Sequence, residues 1–160
     1  MAEEQQAPAQ EQDQQPVFSI EKVYIKDVSL EVPNAPHVFL QREAPQVGIE
    51  LTNAARAIGD GVVEVEIKVT VTSKVEENIV FLVEVAQAAI FQIRNVPEEN
   101  MEAIVGITCP NILFPYVRET VSDLVSRAGF PPVYLSPINF EALFMQQKQQ
   151  QAEQAGATTH

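Results

Sequence analysis

The chain has 160 residues and a formal charge of −12, from 22 acidic and 10 basic side chains. That length suits one domain with a sizeable core, and the charge argues against a nucleic-acid partner, whose phosphates require lysine and arginine. A single cysteine excludes an internal disulfide, and no apolar run reaches the ~18 residues of a membrane span. The N-terminus also lacks the basic region and apolar core of a signal peptide, so the expectation is a cytoplasmic protein with no direct membrane insertion.

Residues 1–16 are Gln-rich and acidic, with Glu3, Glu4, Glu11 and Asp13 and no basic residue. They cannot bury enough apolar area to offset ordering entropy, so a disordered tail is expected. Residues 17–32 read as a first strand whose period-two pattern changes phase twice. Phe18 and Ile20 share one phase, Val23 and Ile25 the other, and Val28, Leu30 and Val32 return to the first. Such shifts predict bulges, or a strand buried in part on both faces. Pro33, Pro36 and Pro45 keep residues 33–46 out of a sheet. The segment is too long for a hairpin turn and reads as a crossover loop. Its apolar knot, Val38-Phe39-Leu40, must dock on something.

A second strand begins at Val47 and continues to about Ile58, and Gly59-Asp60-Gly61 reads as a hairpin turn. The third strand alternates cleanly from Val63 to Thr72, with one face buried and one wet. After the turn at Glu76-Glu77-Asn78 comes a fourth strand, Ile79 to Ile93. It is apolar on both faces at Ile79–Val83 and small at Ala86-Gln87-Ala88-Ala89. That predicts a second apolar contact: a partner subunit, a docked loop or a bound chain.

Pro97 and the acids after it start a short helix. The main amphipathic helix follows within Cys109–Pro132, with Leu113, Val117, Val121, Leu124, Val125 and Ala128 on one face. Asn111 is placed to cap its start and Pro115 to lie in or near its first turn. Asp123 and Arg127 form an i,i+4 pair, Gly129 suits the left-handed C′ position, and Pro131-Pro132 end the helix. Cys109 reads as a small residue packed at the helix entry. A Pro-rich loop from Phe130 to Pro137 holds Val133, Tyr134 and Leu135. Asn139 then caps a last helix with Phe140, Leu143 and Phe144 on one face. That helix is expected to fade from Gln146, leaving a disordered tail over 148–160. The fold class is therefore α+β: a four-stranded antiparallel sheet of order 2-3-4-1, a crossover loop after strand one, then two principal helices.

Catalytic patterns are scarce. There is no Gly-rich phosphate loop, no Cys-x-x-Cys and no His-x-x-x-His, so neither a metal nor another cofactor is expected. His37 lies in the crossover without a carboxylate close in sequence. Ser122 and Ser126 have no local histidine. Glu119 and Asp123 share a helix face, which leaves open a small α+β enzyme or ligand-binding oligomer built on that pair. The less usual feature is apolar material in segments that should be surface: Val38-Phe39-Leu40, Val133-Tyr134-Leu135 and the doubled fourth strand. An exposed apolar groove would bind another chain.

Several motifs carry a family resemblance. Cys-Pro-Asn-Ile-Leu-Phe-Pro-Tyr from Cys109 to Tyr116, Ser126-Arg127, Phe130-Pro131, Tyr24–Ser29, Pro33–Phe39 and Pro137–Phe144 together resemble SecB, the bacterial protein-export chaperone family, over about residues 17–147. The resemblance implies an ATP-independent chaperone that holds unfolded precursor polypeptides and hands them to the SecA motor. It implies a homotetramer, a dimer of dimers with the main helices between two eight-stranded sheets. A client groove is implied at Val38, Phe39, Leu40, Val133, Tyr134, Leu135, Phe140 and Leu143. Asp27, Glu31, Leu82 and Glu84 match positions that hold the basic, zinc-bearing C-terminal tail of SecA. An oligomer interface is implied at Val83, Val85, Gln87, Tyr116, Glu119 and Asp123. Three departures stand out: Arg42-Glu43-Ala44 where a crossover tryptophan is common, Ala88-Ala89 where Gly-Gly is usual, and Leu30 where an aromatic is frequent.

Overall fold

The computed structural model describes residues 15–157. Four strands form one antiparallel sheet: β1 (Val17–Glu31), β2 (Gln46–Gly59), β3 (Val62–Val75) and β4 (Asn78–Arg94). Their order is β1-β4-β3-β2, which is the expected 2-3-4-1 read from the other edge. Pro33, Pro36 and Pro45 prevent β1 from turning directly into a neighbour, so the chain crosses over. On the way it makes one 3-10 turn, His37–Leu40. The β2–β3 hairpin closes on Asp60-Gly61, with Gly61 at φ +66°, where a side chain would be strained.

The phase changes in β1 are two bulges. The pairing with β4 skips a residue between Ile20 and Lys22 and again between Ile25 and Asp27. Each skip cancels one phase change. Phe18, Ile20, Val23, Ile25, Val28 and Leu30 therefore pair in turn with Ile93, Phe91, Ala89, Gln87, Val85 and Val83. These six apolar residues of β1 lie on one face of the sheet, because cross-strand partners share a face.

That face carries the core. Val65, Ile67, Val69 and Val71 of β3 and Val83, Val85, Phe91 and Ile93 of β4 are buried with Leu113, Val117, Val121 and Val125 of the main helix. The helical run is longer than expected. It starts at α1 (Glu98–Ala103), passes through a π turn (Ile104–Thr108) and continues without a break as α2 (Cys109–Arg127). Asn111 is therefore no cap, since the residues before it are already helical. Pro115 sits inside α2 rather than at an entry. The π turn accommodates Pro110, which has no N–H to give the carbonyl four residues back; within it, the Cys109 N–H donates to the Ile104 carbonyl. At the other end Gly129 takes φ +94°. Its N–H donates to the Ser126 carbonyl at 3.1 Å, and the Phe130 N–H to the Val125 carbonyl at 3.2 Å, which satisfies the last carbonyls. Asp123 and Arg127 pair at 3.0 Å.

The last helix, α3 (Phe140–Ala157), is capped as expected: the Ala142 N–H donates to Asn139 Oδ1 at 3.0 Å. It does not fade at Gln146 but runs on to Ala157, so residues 148–157 are helix. Of the two expected tails, residues 1–14 and 158–160 lie outside the described residues.

The outer face of the sheet explains the small residues of β4. Tyr24 and Lys26 of β1 reach across β4 to Glu64 of β3. The Tyr24 hydroxyl donates to Glu64 Oε2, and Lys26 Nζ lies 3.0 Å from Glu64 Oε1 and 3.2 Å from Glu66 Oε2. Arg56 of β2 joins from the other side, with Nε 3.0 Å from Glu64 Oε1. The bridge crosses Ala86 and Ala88, which are buried on the outer face and leave room for it.

Three donors converge on one carboxylate. The hydrogen bond from Tyr24, then that from Lys26, hold the Glu64 carboxyl down at about 2, against 4.5 for an unperturbed glutamate. The folded state therefore prefers the ionised form more strongly than the unfolded chain does. Its contribution is present above about pH 4.5 and is lost as pH falls from there toward 2. Urea unfolding at a series of pH values should show Glu64→Gln less stable than the parent at pH 7. The gap should close as the solution is acidified through that window. A gap independent of pH would mean the carboxylate is not held by its charge.

Candidate functional site

The crossover turn and the loop after α2 meet in an open aromatic cleft. Phe39 stacks on Phe130 with ring centroids 5.1 Å apart at 22°, and Phe130 in turn lies 5.1 Å from Phe81 of β4. Gly129 allows the approach: a Cβ there would stand 3.1 Å from the Phe39 ring. Phe39 and Phe130 border a cavity of about 310 Å³ whose lining also includes Val38, Pro45, Val75, Val80 and Pro131, and Phe81 backs Phe130 from the core. Leu40, next in the turn, is 80% exposed, and Tyr134, in the loop before α3, is 68% exposed. Water-facing groups of that size are available for another chain.

The expected groove residues thus divide. Val38 and Phe39 line the cleft. Leu40 and Tyr134 are exposed, and Val133 and Leu143 are half-buried. Leu135 and Phe140 are only 3% and 1% exposed and belong to the core. Phe140 packs edge-on against Phe114 at 5.8 Å, so it anchors α3 and offers no surface to a client. Sequence reasoning missed Phe130 and Val75, while Val80 lies in the stretch Ile79–Val83 whose double apolar pattern had predicted a second contact. Phe130 did carry a signal: it stands between a helix-ending glycine and two prolines, where an apolar ring has no helical face to join.

A second cavity, about 330 Å³, was not foreseen. It lies between Asn53–Ala55 of β2, the π turn and the outward side of α3, with Phe144, Lys148 and Gln151 on its wall. There α3 rests on Gly106, where a Cβ would stand 2.6 Å from the Phe144 ring. Lys148 ties the helix down, 3.1 Å from Glu102 and 5.0 Å above the Phe144 ring.

On the outer face, Glu31 pairs with Leu82 and Ser29 with Glu84 in the β1–β4 register, and Asp27 pairs with Ala86. Asp27, Glu31, Leu82 and Glu84 therefore share one face, as the strand order required. Asp27 and Glu31 are exposed, and Leu82 is half-buried. Glu84 is already engaged: Lys68 Nζ lies 3.1 Å away, and the Thr70 hydroxyl donates to it at 3.3 Å.

The expected oligomer surface also divides. Val83, Val85 and Gln87 lie on the α2 side of β4 and are buried within the subunit, so they are not available to touch a second copy. Gln87 is 4% exposed; its Nε2 donates to the Tyr24 carbonyl at 3.1 Å, and its Oε1 accepts from the Thr120 hydroxyl at 3.4 Å. Tyr116, Glu119 and Asp123 are exposed on the far side of α2. Beside them the β1 stripe of Phe18, Ile20, Ile25 and Val28 is exposed along much of its length. A run of large apolar groups at a free sheet edge is what a second copy would cover.

Glu119 and Asp123 form no buried carboxylate pair. Both are exposed, and Asp123 is held by Arg127. Cys109 is fully buried, and burial pushes its thiol up to about 12, which fits packing rather than reactivity. Among the described residues no group of histidine, cysteine and carboxylate side chains could hold a metal ion, and no helix is long and apolar enough to cross a membrane.

Known proteins with the same features can be matched directly. The family model described as "Preprotein translocase subunit SecB" matches residues 11–151. A protein-export protein SecB of Methylobacillus flagellatus is 66% identical over 160 residues, covering 100% of both chains. One from Chromobacterium violaceum is 60% identical over 149 residues, covering 93% of this chain and 99% of that one. Among solved structures, a SecB-like chaperone of Mycobacterium tuberculosis, in complex with an antitoxin peptide, has a TM-score of 0.62 at 22% identity. It covers 76% of this chain and 90% of the other, a likeness of fold. Sequence identity of this extent, with the same sheet, crossover and helices, places the chain in the SecB family.

Proposed function

We propose that this protein is an ATP-independent export chaperone of the cytoplasm. It binds unfolded precursor polypeptides in the cleft bordered by Phe39 and Phe130 and delivers them to the SecA motor. The observation that carries this reading is the open aromatic cleft, with Leu40 and Tyr134 left in water beside it. It works without catalysis, cofactor or metal. Capture at ~10⁷ M⁻¹s⁻¹ and ~1 μM chaperone gives roughly 10 s⁻¹, which outruns slow, β-rich folding but not fast helical folding. Selectivity is then kinetic. The exposed β1 stripe and the outer side of α2 support pairing of copies into a homotetramer, a dimer of dimers, whose several grooves add avidity for one long client.

The test is refolding. The protein should delay recovery of a slow-folding substrate at near-stoichiometric ratio without nucleotide. A requirement for ATP, or no delay at low salt and high excess, would rule the reading out.

Delivery is assigned to the outer-face patch of Asp27, Glu31, Leu82 and Glu84. Three carboxylates around one apolar side chain suit the basic, zinc-bearing tail of SecA, with charge chiefly speeding and orienting the encounter. Glu84→Lys is expected to weaken SecA binding about tenfold at low salt, with the difference shrinking as salt screens the charges, while client holding and assembly stay unchanged. Calorimetry at low salt showing unaltered affinity would move the docking surface elsewhere.

A further inference from the structure

Lys26 is the extra residue of the second bulge in β1. In a regular strand, consecutive side chains point to opposite faces. At a bulge they need not, and a bulge commonly re-aims one of them. Here Lys26 reaches carboxylates of the outer face, and Asp27, its neighbour, pairs with Ala86 of that same face. A cation and an anion thus stand side by side where only anions serve a basic partner. Left free, the Lys26 ammonium would find Asp27 first and neutralise it. The structure holds it elsewhere: Nζ lies 3.0 Å from Glu64 and 3.2 Å from Glu66, across the small residues Ala86 and Ala88. Glu64 cannot swing out to follow it, because Tyr24 and Arg56 bind the same carboxylate.

We infer that Glu64, with Glu66, is a positioning residue for the acidic docking face: it draws Lys26 away from Asp27 and so leaves the Asp27 carboxylate open to a basic partner beside Glu31 and Leu82, while Glu84 keeps its own pair with Lys68. This rests on the reading of that patch as the docking surface. It adds residues that never touch the partner. Glu64 lies 37 positions from Asp27 in sequence, and only the bulge and the gap over β4 bring its influence there.

The test is a double-mutant cycle on intact protein, with a zinc-loaded basic tail peptide of SecA as probe and calorimetry at low salt. Glu64→Gln should weaken binding about fivefold. Lys26→Met alone should change it less than about twofold, because that charge is already held away. The double variant should return to about the parent affinity, since no ammonium remains to occupy Asp27. A mere change of net charge predicts something different: Lys26→Met alone would strengthen binding as much as Glu64→Gln weakens it, and the two would add. Additivity, or parent-like binding by Glu64→Gln, overturns the inference. Glu66→Gln leaves the Tyr24 and Arg56 contacts of Glu64 in place and should act in the same direction; it decides the matter if Glu64→Gln fails to fold. Asp27→Asn separates the two claims. If it leaves affinity intact, the docking reading fails and the inference with it. If it weakens binding while the cycle is additive, only the inference falls.

Discussion

Phe39→Ser should cost most of the client affinity and almost none of the fold. The ring is half-exposed and stacks on Phe130 across the mouth of the cleft. A client segment that covered it would gain roughly 1.5–3 kcal/mol from that side chain, so its loss should weaken holding about ten- to a hundredfold. The subunit itself recovers little from a ring that already faces water on one side, and a stability change under about 1 kcal/mol is expected. Delay of a substrate's refolding and the melting temperature should therefore separate: the first falls sharply and the second barely moves. If melting falls and holding persists, Phe39 is packing material and the cleft is misplaced.

Phe140→Ala should do the reverse. Phe140 is 1% exposed, meets Phe114 edge-on and opens α3. Removing it leaves a cavity under the first turn of α3, and about 3–5 kcal/mol of stability should go. For a domain of this size that is a large share of a total on the order of 5–15 kcal/mol. Urea unfolding should show the loss, and amide exchange should rise first along α3. A loss of client binding at unchanged stability would instead put Phe140 in the groove, as the family resemblance implied. The pair Phe39 and Phe140 is informative because both are large apolar residues next to proline-rich loops, and nothing in their local sequence tells them apart.

Local features were legible because their causes are local. The two phase changes of β1 appear as two bulges, since a strand that must keep its apolar side chains on one face has no other way to absorb an extra residue. Gly129 ends α2 and Asn139 starts α3 through bonds to residues within a few positions. The strand order followed from prolines that bar β1 from pairing with β2. That Asp27 and Glu31 share a face, and Leu82 and Glu84 likewise, was readable because residues two or four apart in a strand point the same way.

Other features needed the tertiary structure. Pro115 misled because a proline marks a helix entry only if nothing helical precedes it, and here α1 and the π turn do. Between Ile79 and Val83, β4 is apolar in both parities, so its pattern could not say which set faces α2. Packing chose Val83, Val85 and Gln87 for the interior and left Leu82 and Glu84 outside. The cluster of rings behind the cleft joins three segments, through Phe39, Phe81 and Phe130, and the Glu64 bridge joins three strands. The amino-acid sequence by itself determined the elements, their order and the ends marked by a local cap or turn, since each is set by dihedral preference, hydrogen-bond supply and periodicity within a few residues. Which apolar face is core and which is binding surface, and which carboxylate restrains which lysine, were decided only by long-range packing, where side chains tens of residues apart compete for the same volume and charge.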